Sequence, residues 1–200
     1  MRTGTAGRLL ASLAVLGAAG AVAGTGTWSA FSSTTANTGN AFTAGTVVIG
    51  DNDAGSALYA VTGAAPGDGA EACIRVTYTG TLAADVRMYT TSTLGALAPH
   101  VDVTITPGTQ ASPSFPSCAG FTPDAGGPVF SGTLAAFAGA HSGWGGGLTL
   151  TPPGATSWAQ GDAVVYRVQV TLADDEAANG GAGGPLTTGG HSFTWEARNR

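Results

Sequence analysis

Val164–Leu172 reads VVYRVQVTL, and its alternation decides the fold class. Val164, Tyr166, Val168, Val170 and Leu172 fall on one side of an extended chain, while Arg167, Gln169 and Thr171 fall on the other. Successive side chains of a strand point to opposite faces, so this period of two means one buried face and one wet face. The same pattern recurs along the chain. Ile74, Val76 and Tyr78 alternate with Arg75, Thr77 and Thr79, and Val86 and Met88 alternate with Arg87 and Tyr89. Val101, Val103 and Ile105 alternate with Asp102 and Thr104, and Phe193, Trp195 and Ala197 alternate with Ser192, Thr194, Glu196 and Arg198. Weaker strand candidates are Thr46–Ile49, Leu58–Val61, Val129–Phe137 and Leu148–Thr151.

Turn chemistry separates these runs. Pro66-Gly67-Asp68-Gly69, Pro107-Gly108, Gly126-Gly127-Pro128, Gly143–Gly147 and Pro152-Pro153-Gly154 supply fixed or positive φ angles where the chain must reverse. About eight to ten short strands punctuated in this way predict an all-β, antiparallel sandwich or barrel. No stretch has convincing helical periodicity. The acidic start of Asp174–Asn179 allows one helical turn, and Gly180–Gly190 reads as a loop. No internal repeat and no second domain are evident, so residues 31–200 are expected to form a single domain.

Ahead of the strands, Arg2 and Arg8 flank a basic start, Leu9–Ala23 (LLASLAVLGAAGAVA) is apolar, and Gly24–Ala30 (GTGTWSA) is small-residue rich. This is the layout of a signal peptide over residues 1–30, with cleavage in the region of Ser29, Ala30 and Phe31 by a signal peptidase. The alternative is a retained anchor, because the uncharged run from Leu9 to Phe31 approaches the ~20 residues that span a bilayer. Its strongly apolar part is only about 15 residues, which suits a signal better. After cleavage no stable membrane insertion is expected, and the mature chain is secreted.

Composition narrows the partners. The chain has 33 Gly, 10 Pro, 10% charged residues and no lysine. All of its acidic residues lie beyond Gly50, so loss of Arg2 and Arg8 with the leader takes the formal charge from −5 to about −7. An acidic domain with scattered arginines repels phosphate, so neither nucleic acid nor an anionic membrane surface is an expected partner. The two cysteines, Cys73 and Cys118, both lie in the exported part. An even pair in an oxidising compartment is most simply a disulfide, with free thiols as the alternative. Neither cysteine has a histidine near it in sequence, and no CxxC occurs.

The junction TGTWSAF followed by SSTTANTGNAFTAGTVVIG resembles the SipW-type signal and mature N-terminus of the TasA/camelysin family. The residues that carry the likeness are Gly26, Thr27, Trp28, Ala30 and Phe31, then Asn40, Phe42, Ala44, Gly45, Thr46 and Val47. Tyr166–Leu172, Asp174-Asp175 and Phe193–Ala197 are similar to the last two strands of that family. The resemblance covers about a third of the chain. It implies a dedicated signal peptidase, a jelly-roll-like β-sandwich, and a place in an extracellular (biofilm) matrix fibre or the cell envelope. The cysteine pair, the lack of lysine and the Gly-rich loops depart from the family pattern.

Catalytic constellations are poorly served. A zinc centre needs three clustered ligands and an open position, and His100, His141 and His191 are far apart beside turns, where solvated loop histidines are expected. Part of the family is assigned metallopeptidase activity, so a camelysin-like cell-surface metalloendopeptidase is the second reading, and it requires these histidines to converge. Asp51-Asn52-Asp53 resembles half of a calcium loop, but the remaining ligand positions of such a loop are missing, so the choices are a solvated turn and an adventitious cation site. No G-x-S-x-G elbow precedes a helix. The residues call for no cofactor and no catalytic group. Trp144 and Trp158 sit in Gly/Pro-rich loops, where they either pack or stack on a sugar, which gives a third reading as a carbohydrate-binding module. The uncharged segment Phe31–Gly50 ends in the β-prone TVVIG. It reads as a flexible leader with a first strand, or as a donor strand (Phe42, Thr46, Val47, Val48, Ile49) completing the sheet of a neighbouring subunit by self-association or addition to another matrix subunit.

Overall fold

The computed structural model describes residues 43–174, Ala178 and 186–200. The chain divides into Met1–Thr43 and Ala44–Arg200, and every element named below lies in the second unit. The expected signal segment 1–30, the expected cleavage residues Ser29, Ala30 and Phe31, and Phe42 lie outside the described residues, as does most of Asp174–Asn179.

Nine strands and one helix make up the described fold: β1 (Ile49–Asp51), β2 (Gly69–Tyr78), β3 (Ala84–Tyr89), β4 (Val101–Gln110), β5 (Phe121–Pro123), β6 (Phe130–Thr133), α1 (Leu134–Ala140), β7 (Leu148–Leu150), β8 (Ala163–Leu172) and β9 (Thr194–Asn199). The expected all-β, antiparallel class holds. One sheet runs β1-β2-β8-β4-β5, with β6 also on β4, and the other runs β7-β3-β9. Every pairing is antiparallel.

β8 lies at the centre of the larger sheet. Its residues Ala163–Thr171 pair with Thr77–Gly69 of β2, and Val165–Leu172 pair with Gly108–Val101 of β4. That register puts Ile74 beside Tyr166, Ala72 beside Val168 beside Ile105, and Val170 beside Val103, so each apolar alternation points the same way. Val86, Met88 and Leu150 of the smaller sheet join them in one buried core with Tyr78, Val164, Leu134 and Phe137. Burial of each large side chain stabilises the fold by roughly 1.5–3 kcal/mol.

Trp158 completes the core and is fully buried. Its indole N–H donates to Leu150 O at 2.8 Å, and its backbone exchanges two hydrogen bonds with Ala84, at 3.0 and 2.8 Å. All its polar groups are satisfied inside, which is what makes burial of so large a side chain favourable. The packing alternative holds for Trp158; its ring offers no stacking surface.

The disulfide forms between Cys73 in β2 and Cys118 in the loop after β4, with Cα atoms 5.0 Å apart and 45 residues of separation. Closing a loop of that length removes unfolded-state entropy worth about 4 kcal/mol.

Two local expectations change, and one strand appears where none is expected. Val129–Phe137 was expected as one strand, but the strand ends at Thr133 and α1 begins. Thr133 Oγ1 accepts the Ala136 N–H at 3.1 Å, the chemistry of a helix N-cap, and LAAFAGA is rich in alanine. Leu134 and Phe137, three positions apart, both bury. Leu58–Val61 forms no ladder: Leu58 and Tyr59 pack against the core while Val61 is 44% exposed. An apolar run becomes a strand only when an edge is free to pair with it. β5 carries no signal in the sequence, because three residues ending in proline show no periodicity.

Replacing the fully buried tryptophan (Trp158→Ala) is expected to lower stability by about 3–5 kcal/mol, read from denaturant unfolding of the oxidised protein. An effect below about 1 kcal/mol would show that the core does not depend on this side chain.

Candidate functional site

The N-terminal residues are fastened to the outer edge of the large sheet. The Thr46 N–H donates to Thr81 Oγ1 at 2.9 Å, and the Thr81 N–H donates back to Thr46 Oγ1 at 3.4 Å. The Leu82 N–H donates to Thr46 O at 3.1 Å, and Val48 O accepts from both Thr79 (2.9 Å) and Gly80 (3.3 Å). β1 then continues the ladder, with Ile49 opposite Tyr78, Gly50 opposite Thr77 and Asp51 opposite Val76. Val47 and Ile49 are half-buried against the core, whereas Val48 is 48% exposed. Gly80 is required by this approach: a Cβ there would lie 2.6 Å from Thr46 O. The expected strand Thr46–Ile49 therefore exists as an edge segment whose regular part is shifted to Ile49–Asp51. Of the candidate donor residues, Ile49 pairs with β2 of its own chain, Thr46 and Val48 bond to Thr79–Leu82 just beyond it, Val47 packs against the core, and Phe42 lies outside the described residues.

The Asp51-Asn52-Asp53 sequence forms the turn out of β1. The Asp53 N–H donates to Asp51 Oδ1 (3.2 Å) and the Gly55 N–H donates to Asp53 Oδ1 (2.6 Å). Partial burial, together with the neighbouring Asp53, raises the Asp51 carboxyl above its ordinary pKa, although a backbone hydrogen bond opposes the shift. Ala54 and Gly55 take positive φ here, 53° and 78°. The loop spends its carboxylates on its own backbone, as a turn does.

The histidines do not converge. His141 caps α1, bonds through Nδ1 to Gly146 O at 2.7 Å, and packs its ring 4.9 Å from that of Phe137. His191 lies beside Phe193, its Nδ1–H donates to Gly189 O at 3.0 Å, and its Nε2 accepts from the Tyr59 hydroxyl at 2.5 Å. His100 ends a turn of 3-10 helix, Ala98–His100. The expectation of solvated loop histidines fails for His141 and His191, which are half-buried among aromatic rings. Among the described residues, no three of His, Cys, Asp and Glu come together to hold a metal ion.

Tyr59 and His191 line a cleft of about 730 Å³ whose wall includes Leu58, Leu172, Phe193 and Trp195. Burial pushes the Tyr59 phenol well above its usual pKa, so it stays a donor. The pair clasps the segment after β1 to the segment before β9.

On the outer face of the smaller sheet, two guanidiniums sit over the Trp144 ring, Arg87 at 5.0 Å and Arg198 at 4.5 Å from its centroid. Arg87 also donates through Nη1 to Trp144 O at 2.8 Å. These contacts hold the indole against the sheet and explain its place in a Gly-rich loop. Beside them Glu196 accepts from Arg198 Nε at 2.7 Å and from the Tyr89 hydroxyl at 2.8 Å.

No protein-family model matches the chain, and a search of curated proteins gives no match either.

Arg198, and then Tyr89, hold the Glu196 carboxyl below its ordinary pKa of 4.5. A carboxyl depressed in the folded state stabilises the fold above its unfolded pKa, and this contribution fades as pH falls through the folded value. Glu196→Gln is therefore expected to be less stable than the parent at neutral pH, by less than about 1 kcal/mol, and equally stable in strong acid. Thermal melts across the acid range check this: a constant difference at every pH would contradict it.

Proposed function

We propose that the mature chain is a secreted structural subunit of an extracellular matrix fibre or of the cell envelope, joined to its neighbours by strand addition. The observation that carries this reading is the way residues 46–51 are held. Their attachment to β2 and to Thr79–Leu82 is mostly main-chain hydrogen bonding with a Thr–Thr pair, and it buries only Val47 and Ile49 in part. A segment held this way can leave its own sheet edge and take the equivalent edge of a neighbour without losing a single hydrogen bond. The balance between monomer and polymer then depends on concentration and on the chain that precedes the strand.

The junction residues Gly26–Phe31 and Asn40–Val47, which resemble those of the TasA/camelysin family, support the same reading. So does the Cys73–Cys118 disulfide, a bond characteristic of oxidising compartments. The jelly-roll-like character implied by that resemblance is consistent with β2 and β3, consecutive in sequence, lying in different sheets, and with β8 inserted between β2 and β4. No helix among the described residues is long and apolar enough to cross a membrane. The peptidase reading draws no support from the placement of His141 and His191.

A head-to-tail exchange does not close on itself and builds filaments. Deletion of residues 31–48 from the mature protein, which removes Thr46, Val47 and Val48 from the exchanging segment, is expected to leave the β-sheet circular dichroism nearly unchanged and to abolish filaments in electron micrographs of concentrated samples. Filaments that persist in the deletion would overturn the strand-exchange mechanism.

A further inference from the structure

The sandwich is not sealed at one end. Val103, Ile105 and Val168 in the middle of the larger sheet are 0%, 0% and 1% exposed, but Val101, Val170 and Leu172 keep 8%, 4% and 6%. These last three line the cleft of about 730 Å³ that Tyr59 and His191 border. Val101 is opposite Leu172 at the end of the β4–β8 ladder, so the cleft reaches the core where that ladder runs out. One wall comes from Phe193 and Trp195, two residues apart on extended chain and therefore on one face. Another comes from Leu58–Ala64, the apolar run that forms no ladder.

Volume and wall chemistry select the occupant. A cleft of this size accommodates a small organic molecule, and its floor of valine and leucine favours a hydrocarbon body. Tyr59, Phe193 and Trp195 add aromatic surface, and the His191 ring lies 5.6 Å from Tyr59 and 6.0 Å from Phe193. The faces of aromatic rings are electron-rich and attract cations. The formal charges point the same way. Asp53 and Asp68 line the cleft, no arginine does so among the described residues, and the chain has no lysine. Each carboxylate is fixed by its own turn: Asp53 Oδ1 accepts the Gly55 N–H at 2.6 Å, and Asp68 Oδ2 accepts the Ala65 N–H at 2.8 Å. An anion entering here would meet two negative charges and no compensating cation.

We infer that this cleft binds a small apolar cation, an ammonium whose hydrocarbon part enters between the sheets while its charge rests against the aromatic rings and the two aspartates. The inference goes beyond the assembly reading. That reading rests on residues 46–51, none of which lines the cleft, so each stands or falls without the other.

The test is an NMR titration of the isotope-labelled mature protein with three probes that share a benzene ring and differ in charge: benzyltrimethylammonium, benzyl alcohol and benzoate. It is run at about pH 8, above the usual imidazole range. The signals followed are the Trp195 indole N–H and the backbone N–H groups of His191 and Phe193. Benzyltrimethylammonium is expected to give saturable shifts with a Kd about tenfold lower than that of benzyl alcohol, and benzoate none. D53N/D68N keeps an amide oxygen for each turn and is expected to bring the ammonium to the affinity of the alcohol. If D53N/D68N fails to fold, salt replaces it. Raising the parent from about 0.1 M to about 1 M shortens the Debye length from ~10 Å to ~3 Å and must weaken the ammonium without weakening the alcohol. The inference is overturned by the absence of saturable shifts at these residues, by an ammonium no tighter than the alcohol, or by binding of benzoate. It is overturned equally by an ammonium affinity indifferent to the charge removal or, where salt is used, to screening.

Discussion

The pairing of β8 on both of its edges is the constraint from which the rest of the structure follows. Two ten-residue strands, β2 and β4, lie against it, and their registers bring Ile74, Tyr166 and Pro107, or Ala72, Val168 and Ile105, into rows across the sheet. A slip of one residue in either ladder would turn an entire apolar set out of the core. The register is therefore fixed by burial, and the core residues of the smaller sheet can pack only against the face this register creates. Trp158 fills the remaining space, and its indole N–H must reach Leu150 O, which ties the chain before β8 to β7.

With β8 central, the exposed ends of the sheet become the problem to be managed. At β2 the solution is local and heterogeneous: a short strand, an asparagine side chain and a carbonyl held by a disulfide. None of these would be needed in a closed barrel, where no edge exists. The arrangement is economical because the same Cys73–Cys118 bond that restricts the unfolded chain also positions the loop. At the other end, β5 and β6 share the outer edge of β4, one along Gly108–Gln110 and the other along Asp102–Ile105. Both are too short to extend the sheet far.

Side chains that could signal chemistry are used structurally. His141 and His191 pack on Phe137 and Phe193, and the four rings form one chain of edge and tilted contacts. Trp144 is engaged by Arg87 and Arg198, and the carboxylates of Asp51 and Asp53 accept hydrogen bonds from their own turn.

The sequence by itself determined the strands with strong alternation, because a period of two in Val164–Leu172, Ile74–Tyr78 or Val101–Ile105 has one physical meaning when one face is buried. It also made Cys73 and Cys118 the natural pair, since a chain with two cysteines offers no other internal disulfide. Tertiary structure alone decided the fate of segments whose local signal is weak: whether Leu58–Val61 would find a free edge, whether Leu134–Ala140 would coil after its Thr133 cap, and whether Trp158 or Trp144 would bury. It also decided that Pro116 and Asn52 would cap β2. These outcomes depend on which backbone groups lie opposite each other after folding, and the one-dimensional pattern contains no information about that until the register of β8 has been set.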